Sequence, residues 1–455
     1  MASKKIVCLG GGSVYFARAL PDLLVGKDMA GSEIVFYDID GEKIEKMRAA
    51  VQRLADDAGT GFKVSATLDL ARAVDGADFA VSSIGGSGAE VTPDVYSSYY
   101  HNCDVYIPAK YGIHQVVADT CGPGGMMMAL RAIPAYLHIC REMEKLCPNV
   151  ILLNHSNPMG VLCRAMRKYT AINFIGICHG VQGGICAAAE TLGVPPQELE
   201  CTWIGTNHYY WFIRIVHKGK NVYPELMRRM AEKPARPGRE MSTKLSQIYG
   251  YQIVYPDDGH IYEFYSLAAQ VKNPAVLPYG LEKNEHYQQY NDQKPAPKPV
   301  PVTPEIRREF LKRYQAIIEE VKLPERQSDL ITGEGLGTLI SAMAHGRRQT
   351  AIVNIPNNFL VPNLPATAVI ETEAVTDSTG VRGIQVGDAP IYLKGILEKR
   401  FAWQELVADA GVKGDRNLAL QAILVDEMAI QAEKAEAMLD ELLTASRNLL
   451  PQFKF

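Results

Sequence analysis

The chain has 455 residues, of which 47% are apolar and 22% charged, and its formal net charge is −4. This composition excludes a disordered or fibrous protein, and without a basic excess there is no reason to expect a nucleic-acid partner. No apolar run approaches the roughly 20 residues of a membrane-spanning helix, and the first residues have no signal-peptide pattern. The nine cysteines are spread singly, which argues against a disulfide framework. We expect a cytoplasmic protein without membrane or nucleic-acid partners.

The first 160 residues alternate short β-rich runs with helical patterns. Buried strands are expected at 5–9, 33–38, 79–83 and 150–154, and helices at 16–24, 41–56 and 126–146. Strand–helix alternation of this kind predicts an α/β fold with a Rossmann-like, doubly wound parallel sheet.

Beyond residue 171 the pattern becomes mixed. A buried strand is expected at 173–177, and further strands are expected at 200–216, 350–354 and 368–375. Residues 275–305 are rich in Pro, Lys, Asn and Gln, which indicates an exposed excursion. The last fifty residues predict long amphipathic helices, which favour a homodimer or homotetramer. The sequence therefore predicts two domains, a Rossmann-like one over 1–170 and a mixed α+β one over 171–455.

A glycine-rich turn, Gly10-Gly11-Gly12-Ser13, directly follows the first strand and precedes a helix. Glycines let the backbone turn tightly and approach a pyrophosphate, and the helix N-terminus supplies free N–H groups. The dinucleotide-binding fingerprint is incomplete, because Tyr15 occupies the position that normally holds a small residue. An ordinary glycine turn in an α/β protein is the alternative.

Two acids, Asp38 and Asp40, lie at the end of the second strand. A carboxylate at this place accepts hydrogen bonds from ribose hydroxyls and repels a 2′-phosphate. Together with the glycine turn, these acids predict that the first domain binds NAD in preference to NADP.

Four polar segments follow apolar strands, where ligands bind in open α/β sheets; they are 119–125, 154–158, 178–180 and 205–208. Two of these segments contain possible metal ligands, Cys178 and His208. Each has an ordinary alternative, because a lone cysteine is most often a small core residue and a lone histidine is often a hydrogen-bonded structural group. The residues alone leave both interpretations open.

The order and spacing of these segments resemble glycoside hydrolase family 4, the NAD- and divalent-metal-dependent glycosidases related in fold to lactate and malate dehydrogenases. The similarity is collinear from residue 5 to about residue 375. Besides the glycine turn, it is carried by Gln115-x-x-x-Asp119-Thr120-x-Gly122-Pro123-Gly124-Gly125, Asn157-Pro158, Cys178-His179-Gly180, Asn207-His208 and residues 353–365.

The resemblance implies a route of glycoside cleavage that does not rely on two carboxylates. NAD would take a hydride from carbon 3 of the sugar, the ketone formed would acidify the hydrogen on carbon 2, and a base would remove that hydrogen. The aglycone would leave by elimination, water would add to the unsaturated sugar, and NADH would return its hydride. A divalent metal would act as Lewis acid at the oxygens of carbons 2 and 3.

The same resemblance assigns the metal ligands. Cys178 and His208 are expected to bind Mn²⁺, with Co²⁺ or Ni²⁺ as substitutes, although a thiolate is a soft ligand for manganese. Asp119 is expected to act in catalysis by orienting the metal or its water.

Other segments are expected to contact the substrate and the cofactor. His179 follows the metal cysteine in a Cys-His-Gly sequence that resembles the branch acting on unphosphorylated sugars, especially uronides, and it is expected to bind substrate and to take part in catalysis. Asn157 is expected to bind sugar hydroxyls. Gly85 and Asn154 join the glycine turn as expected cofactor contacts.

The base that removes the carbon 2 proton is expected within residues 249–263, where the family carries a Tyr or an Asp. Tyr251 is the first choice and Asp258 the second. Aromatic packing is the ordinary alternative for a tyrosine in this segment.

The sequence departs from the phosphosugar members of the family at residues 87–93, which contain no Arg to bind a phosphate dianion. Residues 99–104 form an insertion that does not resemble the family's sequences. We therefore expect an unphosphorylated hexoside or a uronide as substrate, as for an α-glucuronidase or α-galacturonidase. An α-glucosidase, α-galactosidase or sulfoquinovosidase of the same mechanism is the alternative. A NAD-dependent 2-hydroxyacid dehydrogenase is the alternative from another class, but no Arg lies beside His155 or His179 to bind a substrate carboxylate.

Overall fold

The computed structural model describes residues 3–86, 98–115, 117–232, 239–254, 258–265, 298–328, 335–428 and 430–455. The strands within these ranges are β1 (Lys5–Leu9), β2 (Glu33–Tyr37), β3 (Lys63–Thr67), β4 (Phe79–Ser82), β5 (Ile151–Asn154), β6 (Asn173–Gly176), β7 (Leu199–Thr206), β8 (Tyr209–His217), β9 (Lys220–Asn221), β10 (Gln252–Val254), β11 (Gln349–Pro356), β12 (Val369–Asp377) and β13 (Gly380–Gly383).

The α-helices within the same ranges are α1 (Val14–Leu24), α2 (Gly41–Ala58), α3 (Leu70–Val74), α4 (Tyr99–Lys110), α5 (Gly122–Leu146), α6 (Met159–Tyr169), α7 (Gly180–Leu192), α8 (Tyr223–Glu232), α9 (Glu240–Tyr249), α10 (Asp258–Glu263), α11 (Pro304–Glu319), α12 (Leu336–Ala344), α13 (Ile391–Lys413), α14 (Arg416–Val425) and α15 (Ala432–Ser446). None of them is both long and apolar enough to cross a membrane.

The central sheet has nine strands in the order β13-β12-β11-β6-β5-β4-β1-β2-β3. Strands β1 to β6 pair in parallel, whereas β11, β12 and β13 join in antiparallel fashion beside β6. The strand order reverses direction at β1, which is the switch point where ligands bind in sheets of this type. The predicted doubly wound α/β fold is confirmed.

Helices cover both faces of this sheet, and the residues of β1 show how the core is divided. Ile6 and Cys8 belong to one apolar cluster, and Val7 and Leu9 belong to the other. Successive strand residues point to opposite faces, so a strand covered on both sides is apolar throughout. The same physics explains the uninterrupted apolar runs in the sequence.

A smaller antiparallel sheet is formed by β7, β8, β9 and β10. Strands β7 and β8 are joined by Asn207 and His208, and His208 has a positive φ of 62°. The indole nitrogen of Trp203 on β7 donates a hydrogen bond of 2.8 Å to the carbonyl oxygen of Glu371 on β12. This contact joins the small sheet to the large one on β7, the strand that leads into the turn carrying His208.

The C-terminal region is helical, as the sequence predicts, and contains α13, α14 and α15. Helix α13 packs on α6, where Asp409 accepts hydrogen bonds from Lys168 at 2.6 Å and Tyr169 at 2.9 Å. The domain boundary at residue 170 stays a prediction; β5 and β6, on either side of it, are paired neighbours in one sheet. Most of the predicted excursion at 275–305 lies outside the described residues.

Candidate active site

The glycine turn after β1 forms a backbone cradle at the N-terminus of α1. Gly10 has φ of 71°, and a Cβ atom at this position would lie 2.3 Å from the carbonyl oxygen of Ser83. The Gly11 amide donates to the carbonyl oxygen of Tyr37 at 2.8 Å, and the hydroxyls of Ser13 and Ser83 lie 2.9 Å apart. Only glycine permits this approach of β1 to the end of β4, so the turn has the form that a pyrophosphate requires.

The two acids after β2 have different surroundings. Asp38 accepts a hydrogen bond from the Gly12 amide at 2.9 Å, which joins the carboxylate to the glycine turn. Asp40 instead caps α2 by accepting from the Glu42 and Lys43 amides at 3.1 and 3.2 Å, and it forms an ion pair with Arg307 at 3.2 Å. Asp38 therefore lies against the glycine turn and stays the expected ribose contact, whereas Asp40 is bound to the start of α2 and to Arg307.

A cavity of about 1190 Å³ extends from this turn along the ends of the parallel strands. It is larger than the ~300–1,000 Å³ of typical small-molecule pockets. Gly10, Ser13, Asp38 and Gly85 line one part of it, and His155, Ser156 and Asn157 line another. The expected cofactor-contacting residues Gly10, Ser13, Asp38 and Gly85 thus share one cavity.

Asn154, also expected at the cofactor, lies beneath the cavity wall and is fully buried. Its side-chain oxygen accepts hydrogen bonds from Tyr136 at 2.6 Å and Ser82 at 3.0 Å, and its amide donates to the carbonyl oxygen of Ser156 at 2.9 Å. Its side chain therefore holds the ends of β4 and β5 together and positions Ser156 in the wall.

Tyr15, the departure from the dinucleotide fingerprint, lines the same cavity. Its ring packs on His155 with the ring centres 4.4 Å apart. A position that is usually small thus supplies an aromatic wall here.

Three side chains that can ligate a metal meet at one end of the site. One donor atom from each of Asp119, His208 and His260 lies within 4.8 Å of those of the other two. Asp119 and His208 are buried, with 1% and 3% of their surface exposed, and the two histidine rings are perpendicular with centres 5.0 Å apart. We refer to these three residues as the Asp119–His208–His260 group.

Hydrogen bonds hold the group in place. Asn157 donates from Nδ2 to Oδ2 of Asp119 at 2.7 Å, and the Thr120 hydroxyl lies between Oδ1 of Asp119 and Nδ1 of His208, 2.8 Å from the latter. Because Asn157 also lines the cavity, this residue connects the expected cofactor site to the group.

The loop before α5 is fixed by a buried carboxylate from α10. Glu263 accepts hydrogen bonds from the amides of Val117 at 2.8 Å and Ala118 at 3.2 Å. It also accepts from Nε2 of Gln115 at 3.1 Å. Ala118 has φ of 52°, an unusual conformation for a residue with a side chain, so these contacts stabilise a strained backbone directly before Asp119.

Cys178 follows β6 and is 8% exposed, and it is not a member of the Asp119–His208–His260 group. It lies within electrostatic range of the buried Tyr210 on β8, whose pKa is raised first by burial and then by the charges of Glu371 and Cys178. His179 is at the N-terminus of α7, and its charge lowers the pKa of Glu371 against the larger effect of burial, which raises that pKa to about 8.

Comparisons with known proteins identify the family of this chain. The family described as "Family 4 glycosyl hydrolase" matches residues 5–194, and its C-terminal domain matches residues 203–429. The chain belongs to glycosyl hydrolase family 4. The fold and the order of the site segments agree with the resemblance drawn from the sequence.

Relatives of this family 4 chain with named activities cover nearly its whole length. It is 26% identical over 482 residues to an α-galactosidase of Bacillus subtilis, with 99% of this chain and 100% of the relative aligned. It is 28% identical over 467 residues to an α-galacturonidase of the same organism, with 96% of each chain covered. Neither of these two enzyme names refers to a phosphorylated sugar.

Solved structures confirm the fold. A Bacillus subtilis protein described as a glucosidase superposes with a TM-score of 0.80 at 26% identity, covering 97% of this chain and 100% of that one. A Thermotoga maritima 6-phospho-β-glucosidase, solved with manganese, NAD⁺ and glucose-6-phosphate, gives 0.76 at 24% identity over 98% of both chains. Lactate dehydrogenase of Eimeria maxima gives 0.50 at 13% identity, covering 91% of this chain and 97% of that one, which confirms the dehydrogenase-like fold.

The two residues expected to serve as base in this family 4 chain have contrasting environments. Asp258 is fully buried and accepts hydrogen bonds from the Met241 and Ser242 amides at 2.7 and 2.8 Å, at the start of α9. Burial raises its pKa against these hydrogen bonds. Tyr251 is half-buried, with ring centres 5.9 Å from Tyr392 and 6.5 Å from Tyr223. Asp258 thus has a helix-capping function, and the assignment of the base stays a prediction.

Sequence reasoning gave no role to three residues of this site, namely Thr120, His260 and Glu263. All three lie within the motifs that carry the resemblance or within the segment searched for the base, so a signal for them was present. What the sequence did not contain was the packing of α10 against the loop before α5.

Proposed function

We propose that this family 4 enzyme cleaves O-glycosides of unphosphorylated hexoses or uronic acids by oxidation at carbon 3, elimination across carbons 1 and 2, addition of water and re-reduction. The observation that supports it most is the position of Asn157. This side chain lines the cavity of the glycine turn and donates a hydrogen bond to Asp119, so a sugar held there would reach both the cofactor and the metal ligands.

The residues fit the two groups that this chemistry needs, NAD and a divalent metal such as Mn²⁺, with Co²⁺ or Ni²⁺ as substitutes. Gly10 provides a backbone cradle that a Cβ would fill, and Asp38 stands where a ribose hydroxyl would donate. His208 and Asp119 supply nitrogen and oxygen donors within the Asp119–His208–His260 group, and the expected ligand Cys178, which follows β6, would supply a sulfur donor. When bound, NAD accepts and returns a hydride, and the metal polarises sugar oxygens.

The chain's own residues perform the remaining steps of the proposal. Asn157 and His179 hold sugar hydroxyls, which orients carbon 3 toward the cofactor cavity. Tyr251 accepts the carbon 2 proton at its phenolate oxygen, with Asp258 as the second candidate. Asp119 orients the metal or its water through the hydrogen bonds that it accepts from Asn157 and Thr120.

The proposed substrate follows from the sequence and from the named relatives. A 6-phosphate is a dianion that calls for Arg or Lys contacts, and residues 87–93 contain no Arg. The α-galacturonidase and α-galactosidase relatives favour a carboxylate or a hydroxymethyl group at carbon 6.

Incubation with aryl glucosides, galactosides, glucuronides, galacturonides and sulfoquinovosides in the presence of NAD and Mn²⁺ tests the proposal. We expect release of the aglycone from an unphosphorylated substrate, no net NADH, and loss of release when a chelator is added. Net NADH formation from a 2-hydroxyacid, without aglycone release, would contradict it.

A further inference from the structure

Three distant parts of the chain meet at the Asp119–His208–His260 group. Asp119 lies in the loop before α5, His208 in the turn between β7 and β8, and His260 in α10. Their donor atoms lie within 4.8 Å of one another. Metal–ligand bonds of about 2.1 Å put donor atoms at most about 4.2 Å apart, so the upper bound of 4.8 Å on their separation is close to the span of one metal site.

The hydrogen bonds around Thr120 indicate which ring nitrogen of His208 carries the proton. The Thr120 hydroxyl has one proton, and Asp119, which also accepts from Asn157, is its natural acceptor. The Thr120 oxygen then accepts from Nδ1 of His208 at 2.8 Å. This arrangement places the proton of His208 on Nδ1 and leaves the lone pair on Nε2, the form in which histidine binds metals.

Helix α10 is tied to the loop that carries Asp119. Glu263 lies one helical turn after His260 and accepts hydrogen bonds from the Val117 and Ala118 amides. The connection fixes the backbone of His260 relative to Asp119. His260 is also partly exposed, whereas Asp119 and His208 are buried.

We propose that His260 is a ligand of the catalytic divalent metal, together with His208 and Asp119, in addition to the cysteine–histidine pair expected from the family. The inference rests on the proposed function only in that a divalent metal is required. Two imidazoles and a carboxylate form a nitrogen and oxygen donor set that suits Mn²⁺ better than a thiolate does. Binding at this site therefore does not depend on Cys178 alone.

The first test measures Mn²⁺ binding to the full chain with NAD and without sugar, from the electron paramagnetic resonance signal of free Mn²⁺. We expect His260→Gln to weaken Mn²⁺ binding by about 100-fold, at the upper end of losses seen for residues that support metal ligands. His155→Gln is the matched control, because His155 lines the neighbouring cavity and is outside the group; its Mn²⁺ affinity should stay within about threefold of the wild type. Equal affinity of the wild type and His260→Gln would overturn the proposal.

A second measurement needs no variant and remains valid if His260→Gln fails to fold. Wild-type protein labelled with ¹⁵N-histidine and loaded with Mn²⁺ should show two histidine nitrogens coupled to the metal in pulsed electron paramagnetic resonance. Coupling to a single histidine would overturn the proposal. Neither measurement depends on turnover, so aglycone release combined with one coupled histidine would contradict this inference alone, and two coupled histidines without glycoside cleavage would contradict the proposed function alone.

Discussion

The expected cofactor site, which we call the local half, and the Asp119–His208–His260 group, which we call the assembled half, are built in different ways. The glycine turn, Ser13 and Asp38 come from one strand–helix–strand unit, and their contacts, such as that between Asp38 and the Gly12 amide, join residues of neighbouring strands. The Asp119–His208–His260 group combines a loop, a hairpin turn and a helix from separate parts of the chain. A locally built site depends on backbone shape, whereas an assembled one depends on the contacts that hold its parts together.

The largest effect that we expect comes from the local half. Gly10→Ala should weaken NAD binding by about 100-fold or more, because the new Cβ would lie 2.3 Å from the Ser83 carbonyl oxygen and would displace the cradle. Gly31→Ala is the control, since Gly31 has a similar φ of 77° with no atom within 4 Å of the new Cβ. NAD titration of both variants separates close approach from backbone strain; equal NAD affinities in the two would contradict this account of the turn.

The assembled half should respond to a change that touches no expected ligand. Glu263→Gln keeps the size of the side chain but replaces one of the oxygens that accept from Val117, Ala118 and Gln115. We expect Mn²⁺ affinity to fall by about 10- to 100-fold while NAD affinity stays unchanged. If Mn²⁺ and NAD affinities fall together, the two halves are not independent in the way we describe.

Asp38 and Asp40 provide a comparison of two acids within the local half. Asp38→Asn should reduce the preference for NAD over NADP by about tenfold, because the substitution removes a negative charge that repels the 2′-phosphate of NADP. Asp40→Asn should leave that preference unchanged, because Asp40 caps α2 and pairs with Arg307. The measurement is the ratio of the Kd values for NAD and NADP. An equal shift of this ratio in both variants would contradict the separate roles of Asp38 and Asp40.

The sequence predicted the close backbone approach at the glycine turn, and the reason is physical. Gly10, Gly12 and Asp38 lie within one strand–helix–strand unit, so their spacing along the chain determines their geometry. Asp119 and His208 were expected from the family resemblance. The prediction that each follows a strand of the parallel sheet was wrong, because Asp119 lies between α4 and α5 and His208 lies in the hairpin of the smaller antiparallel sheet.

The assembled contacts could not be obtained in this way. His260 was visible in the sequence, but its approach to His208 depends on the packing of α10, which no spacing rule gives. Asp40, Asn154 and Asp258 are polar residues beside the site whose hydrogen bonds serve the framework, and short-range pattern alone does not separate framework residues from those that meet a ligand.

The smallest effect concerns stability. Burial raises the pKa of Glu371 to about 8 from an ordinary value of 4.5, so the folded chain holds a proton there that the unfolded chain has released. The contribution of this raised pKa to stability is therefore fully present below about pH 4.5 and is lost as the pH rises through about 8. Thermal melts should show a lower Tm at pH 8 than at pH 6, by a few degrees, and Glu371→Gln should reduce that difference. Glu373→Gln, on the same strand, is the control; the same pH dependence in all three proteins would contradict the assignment.

The most direct test of the account is the fate of the hydrogen on carbon 2. Cleavage by oxidation at carbon 3 and deprotonation at carbon 2 requires exchange with solvent, whereas displacement with two carboxylates never breaks that bond. With the preferred substrate in D₂O, the released sugar should carry deuterium at carbon 2, and Tyr251→Phe should release it far more slowly. Full-rate incorporation in Tyr251→Phe would move the role of base to Asp258, and a sugar released by the wild type without deuterium would contradict the proposed mechanism.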